Sequence, residues 1–230
     1  MYLLIPAAGS GRRMGSNRNK LLLPLLEKPL LTWTLAAVKA SRSIRWVGMM
    51  GQPDDFPDFK EIVQSLGMTK RVHFIPGGAT RQESVYRGLQ ALPAVAERVL
   101  IHDGARCLVT PDLIDRCAAE IFRCPGLIAA IPVKDTIKVV DPTTQLITST
   151  PDRRQLWAAQ TPQGFAVESL MRCHNEGISQ GWEVTDDAAL FEQCGLSVKI
   201  VPGEESNLKV TTPMDLAIAE FILRQRGAGV

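Results

Sequence analysis

Three glycines and four cations stand close together near the start of the chain. The glycines are Gly9, Gly11 and Gly15, and the cations are Arg12, Arg13, Arg18 and Lys20. Glycine lets the backbone approach a ligand closely and adopt positive φ, so several N–H groups can converge on phosphate oxygens. No carboxylate precedes Glu27 to neutralise the cations. The stretch predicts a polyphosphate cradle, and the alternative is a basic surface loop.

Two better-known glycine loops do not fit this stretch. A P-loop needs Gly, four residues and then Gly-Lys-Ser/Thr, which does not occur here. In the dinucleotide fingerprint the third glycine would fall at position 14, but it stands at 15. The region about twenty residues further on, Leu30–Trp33, also lacks a ribose-binding acid. A nicotinamide site is therefore disfavoured.

The composition is that of an ordinary globular protein. The 230 residues are 45% hydrophobic and 22% charged, with a net charge of +2. We expect a single domain over residues 1–230 and no nucleic-acid or membrane-surface partner. The amino terminus has a five-residue apolar run and no basic region before it, so neither a signal peptide nor a membrane anchor is expected.

The cysteines and histidines favour neither disulfides nor zinc. Five cysteines are scattered without a C-x-x-C pair, which is typical of reduced, mostly buried thiols and predicts a cytoplasmic protein. Only three histidines occur, and they lie far apart, so a His/Cys zinc site is not expected.

Short, continuous apolar runs alternate with helical stretches along the chain. Strands are predicted at 3–5, 46–50, 72–75, 99–102, 127–131, 196–201 and 207–210. Helices are predicted at 29–41, 54–66, 80–92, 166–180 and 187–194, and from 111 and 213 onward. Strands without polar alternation are covered on both faces, which predicts an α/β fold with a mostly parallel, Rossmann-like sheet and helices on both sides.

Three of these loops should meet at one edge of the sheet. Ligands of such sheets bind beyond the carboxyl ends of the strands, where the glycine loop, Gly77-Gly78 and Asp103 all fall. Asp103 beside a phosphate cradle predicts a magnesium ligand, and the alternative is a turn aspartate. No nucleophile and base pair stands nearby. The cationic equipment suits phosphoryl or nucleotidyl transfer, which depends on alignment and charge neutralisation.

Residues 134–157 interrupt the alternation. Two β-rich runs flank Asp141-Pro142-Thr143-Thr144, which predicts a hairpin arm. An isolated two-stranded ribbon is marginal in water, so either a second copy of the chain or its own domain must cover it. Arg153 at the end of the arm and Lys209 near the carboxyl end are candidate ligand cations, with ordinary solvated side chains as the alternative.

The ordered motifs resemble those of one enzyme family over nearly the whole chain. They are Pro6-Ala7-Ala8-Gly9-Ser10-Gly11-Arg12-Arg13-Met14-Gly15 with Lys20, Gly77-Gly78 with Arg81 and Ser84-Val85, His102-Asp103-Gly104-Ala105-Arg106, Pro132-Val133-Lys134-Asp135-Thr136, Asp152-Arg153, Thr161-Pro162-Gln163, Thr185-Asp186-Asp187 and Asn207-Leu208-Lys209-Val210-Thr211. The family is 2-C-methyl-D-erythritol 4-phosphate cytidylyltransferase. The first motif alone indicates a nucleotidyltransferase, and the later ones make the resemblance specific.

The resemblance implies a fold of the nucleotide-diphospho-sugar transferase type and a reaction. CTP and methylerythritol phosphate would give 4-diphosphocytidyl-2-C-methylerythritol and pyrophosphate in the non-mevalonate isoprenoid pathway. The cofactor would be Mg²⁺ or another divalent cation, held at Asp103. The family is a homodimer through the hairpin arm.

The resemblance also assigns site residues. Arg13 and Lys20 would be catalytic. CTP would contact Ala7, Ala8, Gly9, Ser10, Gly11, Gly78, Arg81, Ser84, Asp103 and Ala105. The second substrate would contact Arg106, Thr136, Arg153, Thr161, Thr185 and Lys209, of which Thr136 and Arg153 would come from the partner's arm.

Two alternatives remain at this point. One is cytidylyl transfer to another polyol phosphate, such as ribitol 5-phosphate. The other is a regulatory protein that binds a nucleotide without turnover, against which Arg13 and Lys20 argue, because a binder needs no cations aimed at a transition state.

Overall fold

A computed structural model describes residues 1–9 and 19–227 of the chain. The strands are β1 (Tyr2–Pro6), β2 (Pro24–Leu25), β3 (Lys28–Pro29), β4 (Trp46–Gly51), β5 (Val72–Pro76), β6 (Arg98–Ile101), β7 (Gly126–Pro132), β8 (Val139–Val140), β9 (Ile147–Ser149), β10 (Trp157–Ala166) and β11 (Val198–Pro202). The helices are α1 (Leu30–Ala40), α2 (Phe56–Ser65), α3 (Arg81–Gln90), α4 (Pro111–Glu120), α5 (Val167–Gln180), α6 (Asp187–Gln193) and α7 (Pro213–Gln225).

One seven-stranded sheet organises the described chain. Its strand order is β11-β7-β10-β6-β1-β4-β5. The pairs β1/β4, β1/β6, β4/β5 and β7/β11 are parallel, and only β10 runs antiparallel to its neighbours β6 and β7. The mostly parallel α/β fold predicted from the sequence is confirmed.

Apolar cores lie on both faces of the sheet. On β1, Leu3 and Ile5 pack into the core on one face and Leu4 into the core on the other, and all three are 0% exposed. The first core is shared with α1, α2, α4 and α7, and the second with α3, α5 and α6. This two-sided burial is why the strands read as continuous apolar runs.

Strand β10 is the strand of the main sheet that the sequence did not predict, and the short pair β2 and β3 was not predicted either. The register of β10 against β7 shifts between Ala159 and Gln163, so the strand carries a bulge over residues 160–162. Three polar residues in and next to the bulge, Gln160, Thr161 and Gln163, are buried at 4%, 3% and 1% exposure. A run of this kind has no apolar periodicity by which to recognise it.

The short strand predicted at 207–210 is wrong. This segment has no strand pairing, and single hydrogen bonds hold it instead. Val210 N donates to Ala105 O, and Asn207 Nδ2 donates to Thr161 O. These bonds fix Lys209 beside the carboxyl end of β6.

The hairpin arm is present as β8 and β9, an antiparallel pair separate from the main sheet. Its apolar side chains are uncovered, with Leu146 67% and Ile147 61% exposed. The arm therefore lacks a core of its own in a single chain.

All five cysteines are free, and Cys107, Cys117 and Cys173 are buried. Burial raises the pKa of Cys107 and of Cys117 to about 12, which makes these thiols unreactive.

Of the helices in residues 1–9 and 19–227, none has the length and apolar character needed to cross a membrane.

Phe191 anchors the short helix α6 on the sheet. Its side chain is 0% exposed, its ring centroid lies 5.0 Å from that of Phe165, and a Cβ at Gly126 would lie 3.0 Å from the Phe191 ring.

We expect Phe191→Ala to lower the free energy of unfolding by about 3–5 kcal/mol, because the substitution leaves a cavity in the second core. Urea denaturation measures this. Phe122→Ala, at a side chain 66% exposed, is the control and should change stability by less than about 0.5 kcal/mol. Equal effects of the two would contradict this account.

Candidate active site

A cavity of 280 Å³ opens at the carboxyl edge of β1, β5 and β6. Its walls come from the end of β1, the start of α3, the loop after β6, and two lysines from distant parts of the sequence. The lining residues are Pro6, Ala7, Ala8, Gly9, Lys20, Leu21, Gly78, Ala79, Thr80, Arg81, Ser84, Asp103, Gly104, Ala105 and Lys209. The convergence of three loops predicted from the sequence is thus observed for the described residues.

Close backbone packing forms the wall around Gly77 and Gly78. A Cβ at Gly77 would lie 2.6 Å from the Cβ of Ala8, so only glycine fits there. Gly78 N donates to Ser84 Oγ at 3.0 Å, and that hydroxyl donates to Thr80 O at 2.8 Å. Ser84 thus fixes the entry to α3 and narrows the cavity on this side.

The start of α3 is capped as the Thr-x-x-Glu spacing predicts, with one difference. Thr80 Oγ1 accepts from Glu83 N at 3.0 Å. The Glu83 carboxylate, however, accepts from Ala79 N at 2.7 Å, one residue before the cap. The backbone from Gly78 to Thr80 is thereby held on both sides, and a nucleotide would meet a preformed wall.

Asp103 is the carboxylate on the cavity wall, and cations surround it. Arg81 Nε donates to Oδ1 at 3.2 Å, Lys209 Nζ lies 2.8 Å from Oδ2, and Arg106 Nε lies 3.9 Å from Oδ2. Burial alone would raise the pKa of Asp103, but the charges of Arg81 and Lys209 outweigh it and hold this pKa well below its usual range. Asp103 is therefore ionised throughout the neutral range.

A hydrogen-bonded relay holds the backbone of Asp103 from behind. Asp103 N donates to Thr161 Oγ1 at 3.0 Å, and the Thr161 hydroxyl lies 2.9 Å from His102 Nδ1. The carbonyl of Arg106, 3.3 Å from Nε2, can only accept, which assigns the His102 proton to Nε2. Nδ1 then accepts from the Thr161 hydroxyl. Burial lowers the pKa of His102 to about 4, so the ring is neutral at neutral pH. Thr161, at 3% exposure, lies behind the cavity wall and is not part of it.

Lys20 reaches the cavity because Asn19, a residue that the sequence did not single out, holds it in place. Asn19 Nδ2 donates to Ala7 O at 2.7 Å and to Asp55 Oδ2 at 2.8 Å, and its Oδ1 accepts from Leu21 N at 3.0 Å. Lys20 Nζ donates to Val210 O at 3.1 Å. The sequence signal was only an asparagine next to the predicted lysine, because two of its partners, Ala7 and Asp55, are far away in the chain.

The predicted second-substrate residues divide into two groups. Lys209 lines the cavity. Arg106 lies beside it, but its guanidinium donates to Asn207 O at 2.7 Å and to Ala159 O at 3.2 Å, so it braces the loop. Thr136, Arg153 and Thr185 are exposed and are not among the residues that line this chain's cavity. The remaining predicted residues, Ser10, Gly11 and Arg13, lie outside the described residues.

The donor set at Asp103 fits a divalent cation only if a ligand completes it. Among residues 1–9 and 19–227, no three His, Cys, Asp or Glu side chains cluster as a metal site. Mg²⁺ commonly takes one or two carboxylates together with substrate phosphates and water. Asp103 is the single carboxylate lining the cavity in the described chain, and Lys209 Nζ on its Oδ2 belongs to a side chain 38% exposed, which has room to move aside.

Comparison with known proteins decides the family. Residues 1–225 match the sequence model of the family 2-C-methyl-D-erythritol 4-phosphate cytidylyltransferase (IspD). The chain belongs to this cytidylyltransferase family. A relative of that name from Crocosphaera subtropica is 70% identical over 98% of this chain and 99% of its own length. Another from Nostoc punctiforme is 67% identical over 99% of this chain and 100% of its own.

Solved structures of the family share the fold. The 4-diphosphocytidyl-2C-methyl-D-erythritol synthase from Anaerococcus prevotii superposes with a TM-score of 0.86 at 30% identity, over 97% of each chain. The cytidylyltransferase from Thermus thermophilus superposes with a TM-score of 0.78 at 31% identity, over 96% of this chain and 98% of its own. The chain is therefore an enzyme of the nucleotidyltransferase class, as the motifs predicted.

The buried His102 makes the stability of this cytidylyltransferase depend on pH. Its pKa of about 4 lies below the ordinary 6.5, so the unfolded chain takes up the proton first as the pH falls. Folding stability from this group is complete above the ordinary pKa and is lost as the pH falls towards 4.

We expect the wild type to lose about 3 kcal/mol more stability than His102→Gln between about pH 7 and pH 4. The glutamine amide can replace one ring hydrogen bond but cannot be protonated. Urea unfolding at several pH values measures the difference, and carboxylate titrations cancel between the two proteins. Parallel pH profiles would show that His102 does not titrate as described.

Proposed function

We propose that this chain carries out its family's reaction, the transfer of a cytidylyl group from CTP to 2-C-methyl-D-erythritol 4-phosphate, in the cavity closed by Asp103, Lys20 and Lys209. The observation that carries the proposal is the charge arrangement of this wall. One ionised carboxylate stands among cations from three segments of the chain, beside a glycine-built backbone wall. Such a site takes a polyphosphate together with a divalent cation.

The reaction needs alignment more than proton transfer. An oxygen of the methylerythritol phosphate attacks the α-phosphorus of CTP, a new P–O bond forms, and the bond to the β-phosphate breaks to release pyrophosphate. A phosphate monoester is largely ionised at neutral pH, so its oxygen needs no general base. His102, neutral and engaged on both ring nitrogens, is accordingly not required as one.

The residues of the site then take the following roles. Ala7, Ala8, Gly9, Gly78, Ser84 and Ala105 line the CTP pocket with backbone groups and small side chains. Lys20 neutralises charge that develops on the phosphates in the transition state, and Arg13 is proposed to act with it. Arg81 supports Asp103, and Thr161 and Arg106 hold the loop that carries it.

Asp103 is the proposed ligand for Mg²⁺ or another divalent cation. When bound, the metal would neutralise phosphate charge and favour departure of pyrophosphate. The chain's part is to keep the carboxylate ionised and in place, which Arg81 and the Thr161 hydroxyl do.

The second substrate is proposed to be held between two chains. Thr185 and Lys209 would contact it from one chain, and Thr136 and Arg153 from the arm of a homodimeric partner. Support comes from the arm's uncovered apolar residues and from Arg153, whose Nη1 donates to Lys134 O at 2.6 Å within the arm, away from this chain's own cavity.

The five free thiols support a cytoplasmic location.

Substrate choice is tested by pyrophosphate release. The purified protein with Mg²⁺ should release pyrophosphate with CTP and methylerythritol phosphate, and not with UTP, ATP or GTP, or with ribitol 5-phosphate as acceptor. Release with ribitol 5-phosphate would show that the acceptor is another polyol phosphate and that the enzyme serves a different pathway. CTP binding without any release would favour a regulatory binder.

Lys20→Gln should separate catalysis from binding. The variant removes the charge and leaves a polar side chain that is one bond shorter, so we expect kcat to fall ~100- to 1000-fold while the Kd for CTP changes by less than ~3-fold. Steady-state kinetics and calorimetry measure the two. Lys28→Gln, on an exposed surface near the β2/β3 turn, is the control for charge alone. Equal losses in kcat and affinity would contradict a transition-state role for Lys20.

A mixing experiment tests the shared site. Co-expression of Lys20→Gln and Arg153→Ala chains should restore about one quarter of the wild-type sites, because each mixed dimer has one cavity with both residues intact. Each variant expressed alone should stay inactive. Activity of the mixed sample no higher than that of the separate variants would show that Arg153 acts on the cavity of its own chain or on none.

A further inference from the structure

Arg81 lies between two carboxylates, and only one of them faces the cavity. Its Nε donates to Asp103 Oδ1 at 3.2 Å, and its Nη1 donates to Asp187 Oδ2 at 2.7 Å. Asp103 lines the cavity, whereas Asp187 does not and its side chain is 2% exposed. The shorter bond of Arg81 therefore goes to the carboxylate that no ligand can reach.

Asp187 is itself held firmly. It is the first residue of α6, and Asp186 caps that helix by accepting from Ala189 N at 2.9 Å. Gln163 of β10 donates to Asp186 Oδ2 at 2.8 Å and accepts from Ala188 N at 3.2 Å. The start of α6 is thus tied to the strand that also carries Thr161 to Asp103.

His174 of α5 faces the other oxygen of Asp187. Its Nε2 lies 3.5 Å from Asp187 Oδ1, and its ring lies 5.8 Å from that of Tyr86, centroid to centroid. The His174 side chain is 0% exposed, so the Asp187 carboxylate has His174 on one side and Arg81 on the other. A buried charge in this position is costly unless it is paired, and here the pair is made with a residue of the active site.

We propose that Asp187 is a positioning residue for the cytidylyl transfer: it fixes the guanidinium of Arg81 and thereby sets the place and the free charge of Asp103. The proposal rests on the function proposed above for Asp103. Lys209 pairs with Oδ2 of Asp103, and Arg81 pairs with Oδ1. Because Arg81 is shared with Asp187, it neutralises Oδ1 only in part, and this oxygen keeps charge for a divalent cation. Without Asp187, Arg81 is free to turn fully onto Asp103 and to compete with that cation.

Asp187→Asn keeps the shape of the side chain and removes its charge. We expect the kcat/KM for CTP to fall ~10- to 100-fold, because the guanidinium that holds Asp103 loses its buried charged partner. We also expect the gain in CTP affinity that Mg²⁺ gives, measured by calorimetry with and without the metal, to shrink by a similar factor. Affinity without Mg²⁺ should be unchanged.

The matched control is Asp186→Asn, one residue earlier. It removes the same charge from the start of the same helix and does not touch Arg81. Asparagine caps as well as aspartate, so the bond from Ala189 N is kept, and only the bond that Asp186 Oδ2 accepts from Gln163 is lost. Its kcat/KM should stay within ~2-fold of the wild type. If both variants lose activity equally, a general effect on α6 explains the result and the proposal fails.

The dependence on Arg81 is tested by a double-mutant cycle. Arg81→Lys keeps the positive charge but cannot bridge both carboxylates, so adding Asp187→Asn to it should cost less than ~2-fold further. His174→Phe, which keeps the ring volume, should give a smaller loss with the same dependence on Arg81, and it serves if Asp187→Asn unfolds. Full additivity in both cycles would overturn the proposal. Wild-type activity of Arg81→Lys alone would instead overturn the role proposed for Arg81 and Asp103.

Discussion

The ionised state of one buried carboxylate is the constraint on which the site depends. Burial opposes the charge on Asp103, and Arg81 and Lys209 overcome that opposition from two different parts of the chain. Both cations are partly exposed, and water screens their attraction to the carboxylate. Neither cation would keep Asp103 ionised unless its side chain were held rigidly in place. Rigidity is therefore what the sheet, the start of α3 and the anchored segment around Lys209 supply, and the cavity chemistry follows from it.

The antiparallel strand β10 supplies much of that rigidity. A parallel sheet brings the ends of β1, β5 and β6 to one edge, but it does not by itself fix the loop that follows β6. The bulge at residues 160–162 turns the Thr161 hydroxyl towards the backbone of Asp103, and Gln163 in the same strand fixes the start of α6. Bulges commonly re-aim a side chain in this way next to active sites. Strand β10 thus holds the backbone of Asp103 directly, through Thr161. It also holds the start of α6, where Asp187 binds Arg81.

The sequence predicted the parts of the fold that follow from local apolar pattern, and it failed where polar residues are buried. Buried runs such as Leu3–Ile5 can be recognised because a strand covered on both faces has to be apolar throughout. Residues 160–163 could not be recognised as part of a buried strand, because their burial is stabilised by hydrogen bonds to residues 23–59 positions away, such as Asp186 and His102. Asn19 was missed for the same reason: two of its partners, Ala7 and Asp55, are distant in the chain. Glycines and charges mark a site in sequence, whereas the groups that orient them appear only once the chain has folded.

The hairpin arm has the opposite physical character to the cavity wall. Two strands of two and three residues make few backbone bonds, and Val139, Leu146 and Ile147 have no core to enter. A ribbon of this kind gains a fixed position only from a surface that covers it, which in a single chain it lacks. Any residue on the arm that grips a substrate is therefore ordered by association and not by folding. The proposed nucleotide pocket draws its described lining from one chain, whereas the side proposed for the second substrate depends on a partner, so the proposal couples acceptor binding to assembly.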